Sequence, residues 1–242
     1  MNARRVFSEP QRAIALAALG LVVLNNAVAS AMFVAAYDFD IAAFADPSIL
    51  PGAGAAVTLR LGALIDMLGY LAFAPVVLYL HGRLGAGPAG GPARVWLNVL
   101  AFCGLGFVLV GAIGAVLMAS VGASLIESAG SAGAAEPVAT SIRTAFAALS
   151  NSVYVGLWGT LELLLLGVWL LGVGWLVRAE GRAFAYLGIA TGAGELAYSA
   201  RTGLTGRTPT DLSNPLDVFL LGGAVLIAVW VLWLALRLWR GR

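Results

Sequence analysis

Three carboxylates, Asp66, Glu162 and Glu195, stand inside long apolar runs. An acid in such a place can bind a cation, exchange a proton, or hydrogen-bond to a neighbouring helix. Left alone in lipid it costs about 3 kcal/mol on insertion scales, so each one marks a candidate site. Helical spacing groups the acids with polar and aromatic neighbours. Glu162 shares a row with Asn151, Tyr154, Trp158, Leu165 and Trp169. Asp66 shares one with Gly62, Tyr70 and Phe73, and Glu195 with Gly188, Thr191, Tyr198 and Thr202. A fourth run adds Asn26, Ser30, Phe33 and Tyr37. The expected ligand-binding set is therefore Asp66, Glu162, Glu195, Asn26, Tyr70, Trp158 and Tyr198. They would line an acid-walled cavity that opens outward and takes a cationic or polar small solute, or exchanges protons. The competing reading makes the acids structural partners of Asn25, Asn26, Thr191, Tyr198 or an arginine on another helix.

The composition removes most other chemistries. The 242 residues are 61% hydrophobic, with no lysine, one histidine (His81) and one cysteine (Cys103). That excludes a lysine Schiff base, a P-loop, a bis-histidine haem, a histidine-rich metal site and an intrachain disulfide. No catalytic constellation emerges, and no cofactor is expected. A formal charge of +2, with arginines scattered over short loops, does not suit nucleic acid.

The elements that must hold these acids are membrane spans. A hydrocarbon core about 30 Å thick needs about 20 apolar residues at about 1.5 Å each. Six runs qualify: 13–37, 59–80, 95–120, 153–177, 183–200 and 216–239. The chain reads as one all-α domain over 1–242, a polytopic six-helix transmembrane bundle. The first run reads as a retained helix, not a cleaved leader. Arginine then sets orientation, because cytoplasmic loops keep positive charge. With the N-terminus inside, Arg4, Arg5, Arg12, Arg83, Arg94, Arg178, Arg182, Arg237, Arg240 and Arg242 fall on the inner face. Arg60, Arg143, Arg201 and Arg207 fall outside among several acids, so both termini are expected to be cytoplasmic.

The outer loops (38–58, 121–152, 201–215) are longer than the inner ones. The five-residue link 178–182 requires helices four and five to be antiparallel neighbours. Val121 to Ile126 continues helix three without a breaker, and Ile142, Phe146, Leu149 and Val153 recur at helical spacing. Helices three and four should therefore extend outward as a hairpin turning in Ser128–Pro137. Gly188 and Gly192 form a GxxxG that permits close helix approach within or between chains. Pro75 should kink helix two.

The segments Leu164–Gly174, Arg178–Arg182, Tyr186–Gly192 and Val229–Trp239 resemble the C-terminal half of the bacterial membrane proteins grouped as domain of unknown function 4386. The likeness covers the last third of the chain. It implies an all-helical membrane bundle and no particular activity. Together with the lysine-free, Ala/Gly/Arg-rich composition it points to a bacterial inner membrane. The lipid bilayer is the certain partner on this reading. A non-catalytic subunit or regulator of a larger membrane complex, contacting other membrane subunits, is the alternative to a binding or transport protein.

Overall fold

The computed structural model describes residues 9–40, 43, 46, 48–86, 91–131, 136–207 and 215–240. Six helices form, and no strand occurs among the described residues. They are α1 (Glu9–Ala36), α2 (Ala55–Gly85), α3 (Pro92–Ser131), α4 (Glu136–Leu176), α5 (Arg182–Thr205) and α6 (Pro215–Trp239). Two helices change pitch without breaking: α3 is a π-helix over Met118–Gly122, and α4 over Ser152–Glu162. A 3-10 turn at Val177–Ala179 leads α4 into α5.

Local chemistry explains the ends. Gly91 takes a φ of 58° that a side chain would resist, and Pro92 follows at the first turn, where its missing N–H is harmless. Gly206 closes α5 in the left-handed region at φ 66°, donating its N–H to Thr202 O at 2.8 Å.

Each helix packs on its sequence neighbour from α1 through α6, and α6 returns to α1, closing a ring. The closest approach is between α4 and α5. A Cβ at Gly192 would stand 2.6 Å from Leu171 N and 2.7 Å from Gly167 O; one at Gly174 would stand 2.8 Å from Ala185 O. The pairing of 167 with 192 and 174 with 185 makes the two helices antiparallel. It also assigns the GxxxG of α5 to a contact within the chain.

The interior consists of two apolar cores. One collects Leu19, Phe73, Val77, Trp169, Leu170, Phe184, Trp230 and Leu234. The other collects Phe33, Tyr37, Leu59, Ala63, Met118, Ile126, Phe146 and Val153. Every helix from α1 to α4 contributes to both, changing from one to the other near Asn25, Asp66, Gly111 and Glu162 respectively. A polar layer therefore divides the molecule.

Among the described residues, four helices are long and apolar enough to cross a membrane: Glu9–Ala36, Ala55–Gly85, Ala93–Ser131 and Glu136–Ala179. Large apolar side chains face outward along them, Phe102 at 73% exposure among them, as a lipid-facing surface requires. The stretch Val225–Trp239 of α6 is apolar, and α5 is less apolar. The 39 and 44 residues of the third and fourth spans bear out the expected overrun of α3 and α4.

Several boundaries differ from expectation. Ser128–Ser131, expected in the turn, are helical: Ser128 Oγ donates to Ser124 O and Ser131 Oγ to Glu127 O, at 2.8 and 2.9 Å, so both hydroxyls are satisfied inside the helix. The centre of that turn, 132–135, lies outside the described residues, as do Arg4, Arg5 and Arg242. α2 begins at Ala55, not Leu59, and runs to Gly85; α5 runs to Thr205, not Ala200. Pro75 lies inside α2, which is helical on both sides of it.

Candidate functional site

Glu162 is the last residue of the π segment of α4, 6% exposed, and its carboxylate is the centre of the polar layer. Tyr70 of α2 reaches it directly, its hydroxyl donating at 2.9 Å to Oε1 and 3.0 Å to Oε2. Asp66, one turn earlier on α2 and half-buried, lies within electrostatic reach of Glu162, and so does Glu195 of α5, which is 3% exposed. The structure thus brings the three sequence-selected acids together from three helices. Among the described residues no guanidinium forms an ion pair with any of them. Nor does any group of three or more His, Cys, Asp or Glu side chains come close enough to hold a metal ion. Glu195 Oε1 is buried with no hydrogen-bond partner among the described residues.

The walls are set by glycines of α3. The Tyr70 ring occupies the space a side chain would take at Gly111, and the Trp158 indole does so at Gly114. Trp158 Nε1 donates to Gly111 O at 3.2 Å. Two glycines three residues apart present one flat helical strip, which lets aromatic rings from α2 and α4 reach between the helices.

The π segment also exposes backbone. Side chains bond to its carbonyls: Thr160 Oγ1 donates to Val155 O at 2.7 Å, and Ser199 Oγ of α5 donates at 2.7 Å to Thr160 O, which also accepts from Leu163 N–H. The shorter π segment of α3 is used the same way. Arg60 Nε donates to Ala119 O at 3.3 Å while its other nitrogens meet both oxygens of Glu127 at 2.9 and 3.1 Å.

Below the acids, aromatic rings pack edge to face through the first core. Tyr70 meets Phe107 at 5.5 Å, Phe107 meets Phe73 at 5.6 Å, Phe73 meets Trp169 at 5.4 Å, and Trp169 meets Trp230 at 5.7 Å.

The other selected residues fare unevenly. Trp158 stands against Gly111 and Gly114 of α3. Tyr198 is half-buried one turn beyond Glu195. Asn26 is exposed on α1, and the residue that meets α2 is its neighbour: a Cβ at Gly69 would stand 3.2 Å from Asn25 Cβ. The helical row was offset by one residue there, because either asparagine satisfies the spacing. The cavity expected to open around the acids is, at Glu162 and Glu195, a closed interior. A cleft beside Pro75, lined by Gln11, Ile14, Leu78 and Tyr79, contains none of the acids. Sequence reasoning placed Tyr37 and Tyr154 on the polar rows but outside the ligand-binding set, and it did not select Gly111 or Gly114; the two glycines carried a signal in their spacing, but only an inter-helix contact gives it meaning.

Fold and site together define an all-helical protein with membrane-compatible helices and a polar layer of carboxylates enclosed between two apolar cores. No protein family, curated protein or solved structure matches the chain.

Proposed function

We propose that this is a multi-pass protein of a bacterial inner membrane that binds and exchanges protons at Asp66, Glu162 and Glu195. One observation carries the reading: three carboxylates share a layer in which Tyr70 donates and, among the described residues, no basic group forms an ion pair with them. Three negative charges in a medium of low dielectric are not a stable arrangement, so the layer must take its positive charge from outside as protons or a small cation. The absence of a chelating group among the described residues favours protons over a divalent ion. Six spans with both termini inside, the outward direction of the α3–α4 hairpin, and the kinship of the last third with domain of unknown function 4386 belong to the same proposal.

Infrared difference spectroscopy of the purified chain tests it. Lowering the pH should develop a carboxylic-acid C=O band that Glu162→Gln, Glu195→Gln and Asp66→Asn each diminish. A band indifferent to all three variants would exclude the cluster.

Asn26 favours the alternative, a subunit of a larger assembly. Its amide is exposed beside outward-facing Val23, Leu24 and Val28, where lipid offers no hydrogen bond. Extraction in mild detergent followed by native mass spectrometry would reveal a bound partner, and Asn26→Leu should release it.

A further inference from the structure

The turn between α4 and α5 sorts its charges. Its single acid, Glu180, is taken up by neighbouring helices: the carboxylate meets Arg83 of α2 at 2.8 Å and Arg237 of α6 at 3.7 Å, and the carbonyl accepts from Arg237 Nη2 at 3.3 Å. Gly181 makes room for this, since a Cβ there would stand 2.7 Å from Arg237 Nη1. The arginines on either side of the acid, Arg178 and Arg182, are exposed, and neither forms an ion pair among the described residues. Nor does the sequence hold a spare acid for them. In segments 1–12, 81–94, 178–182 and 237–242 the acidic side chains are Glu9 and Glu180, and Glu9 is taken by Arg12 at 2.7 Å. The surroundings are aromatic. The Arg178 guanidinium lies over the Trp175 ring, 4.0 Å from its centroid, which steadies the side chain and leaves its N–H edge open. Arg182, Tyr186 and Ile189 share one face of α5 by spacing. Ile189 meets α4: a Cβ at Gly174 would stand 2.8 Å from Ile189 N and 3.1 Å from its Cγ1. The row therefore follows the α4–α5 seam past Trp175, where Trp175 and Tyr186 are 55% and 66% exposed.

We propose that the outer seam of α4 and α5 binds an anionic phospholipid, with Arg178 and Arg182 holding the headgroup phosphate and Trp175 and Tyr186 lying against the glycerol and upper acyl chains. The proposal rests on the reading of the chain as membrane-spanning and is independent of proton exchange. Charge complementarity selects the occupant. The chain supplies no carboxylate to these two guanidiniums, because the one acid of the turn already serves Arg83 and Arg237. A guanidinium meets phosphate oxygens through two parallel N–H bonds, so a phosphate satisfies both the charge and the geometry. The exposed rings select the rest of the ligand. Indole and phenol side chains settle at the boundary between headgroups and hydrocarbon, and a soluble phosphate compound has nothing to lay against them. A zwitterionic lipid fits the rings equally well but brings no net negative charge to the arginines.

Thermal melting of the purified full-length chain in a neutral maltoside detergent tests the site. The chain is titrated with dioleoyl phosphatidylglycerol, with phosphatidylcholine of the same acyl chains, and with glycerol phosphate. Phosphatidylglycerol should raise the melting temperature at roughly tenfold lower concentration than phosphatidylcholine, and glycerol phosphate should leave it unchanged. Arg178→Gln and Arg182→Gln should each weaken the phosphatidylglycerol response about fivefold without altering the phosphatidylcholine response. Arg207→Gln, which removes the same charge just past the other end of α5, should change neither. Equal responses to the two lipids, parent-like responses in both Arg178→Gln and Arg182→Gln, or equal weakening in Arg207→Gln overturns the site and leaves the membrane reading standing. A response to glycerol phosphate matching that to the lipid overturns the lipid as occupant. A chain that stays soluble and monodisperse once detergent is withdrawn overturns the membrane reading itself.

Discussion

The Tyr70 hydroxyl spreads one proton across both oxygens of Glu162, and among the described residues it is that carboxylate's hydrogen-bond donor. Tyr70→Phe should leave a buried acceptor unmet, costing about 1–3 kcal/mol. A lower melting temperature in detergent, without loss of helix content, is the expected reading; an unchanged one would mean water replaces the hydroxyl. Glu195 behaves differently because its Oε1 has no partner to lose. Glu195→Gln should therefore melt within about 1 kcal/mol of the parent, near the margin of a neutral substitution. All three acids were legible in the sequence, since a carboxylate among apolar residues stands out against a bilayer. Their convergence was not fully legible, because the rotation of each helix about its axis is set by contacts with its neighbours. Asn25 and Asn26 illustrate this: adjacent amides are indistinguishable by spacing, yet one meets α2 and the other faces outward.

The elements owe their geometry to glycine and to pitch. Backbone lies under Gly192 from the α4 side, so Gly192→Ala places a methyl where Leu171 N and Gly167 O already stand. Overpacking of that kind costs about 1–3 kcal/mol, and a reduced melting temperature would register it. The spans were legible as apolar runs of sufficient length, and the α3–α4 overrun followed from helical spacing beyond the core. The π segments were not, because one extra residue per turn leaves no compositional mark. Ser152–Glu162 lies between Asn151 and Leu163 with helical backbone throughout. Deleting Gly156, around which a Cβ would find open space, should let the segment tighten toward ordinary helix. Trp158 and Glu162 would then stand three and seven residues from Tyr154, the spacing of one face of an ordinary helix. The deletion variant should therefore fold with parent-like circular dichroism and keep its acid-dependent C=O band; a lost band would mean that the wider pitch itself positions Glu162.

At the scale of the whole molecule, two ion-paired rims bound the apolar cores. Arg60 and Glu127 tie α2 to α3 at one end. At the other, Glu180 in the α4–α5 turn takes Arg83 of α2 at 2.8 Å and Arg237 of α6 at 3.7 Å. With the arginine-rich rim in the cytoplasm, reporter fusions after Arg94, Arg182 and Arg242 should all report the inside; any one reporting the outside would overturn the orientation. Arg60 and Arg83 stand on the same helix, 23 residues and so about 35 Å apart along it at about 1.5 Å per residue. That separation amounts to a gauge for the lipids that can host the chain. In bilayers of long-chain lipids, one rim or the other must enter hydrocarbon or the bilayer must thin around it, at a fraction of a kcal/mol per ångström of mismatch. Reconstituted across a series of acyl-chain lengths, the protein should be most heat-resistant near a hydrocarbon thickness of about 30 Å and progressively less so in thicker membranes. Among membranes of unequal thickness it would accordingly partition toward the thinner.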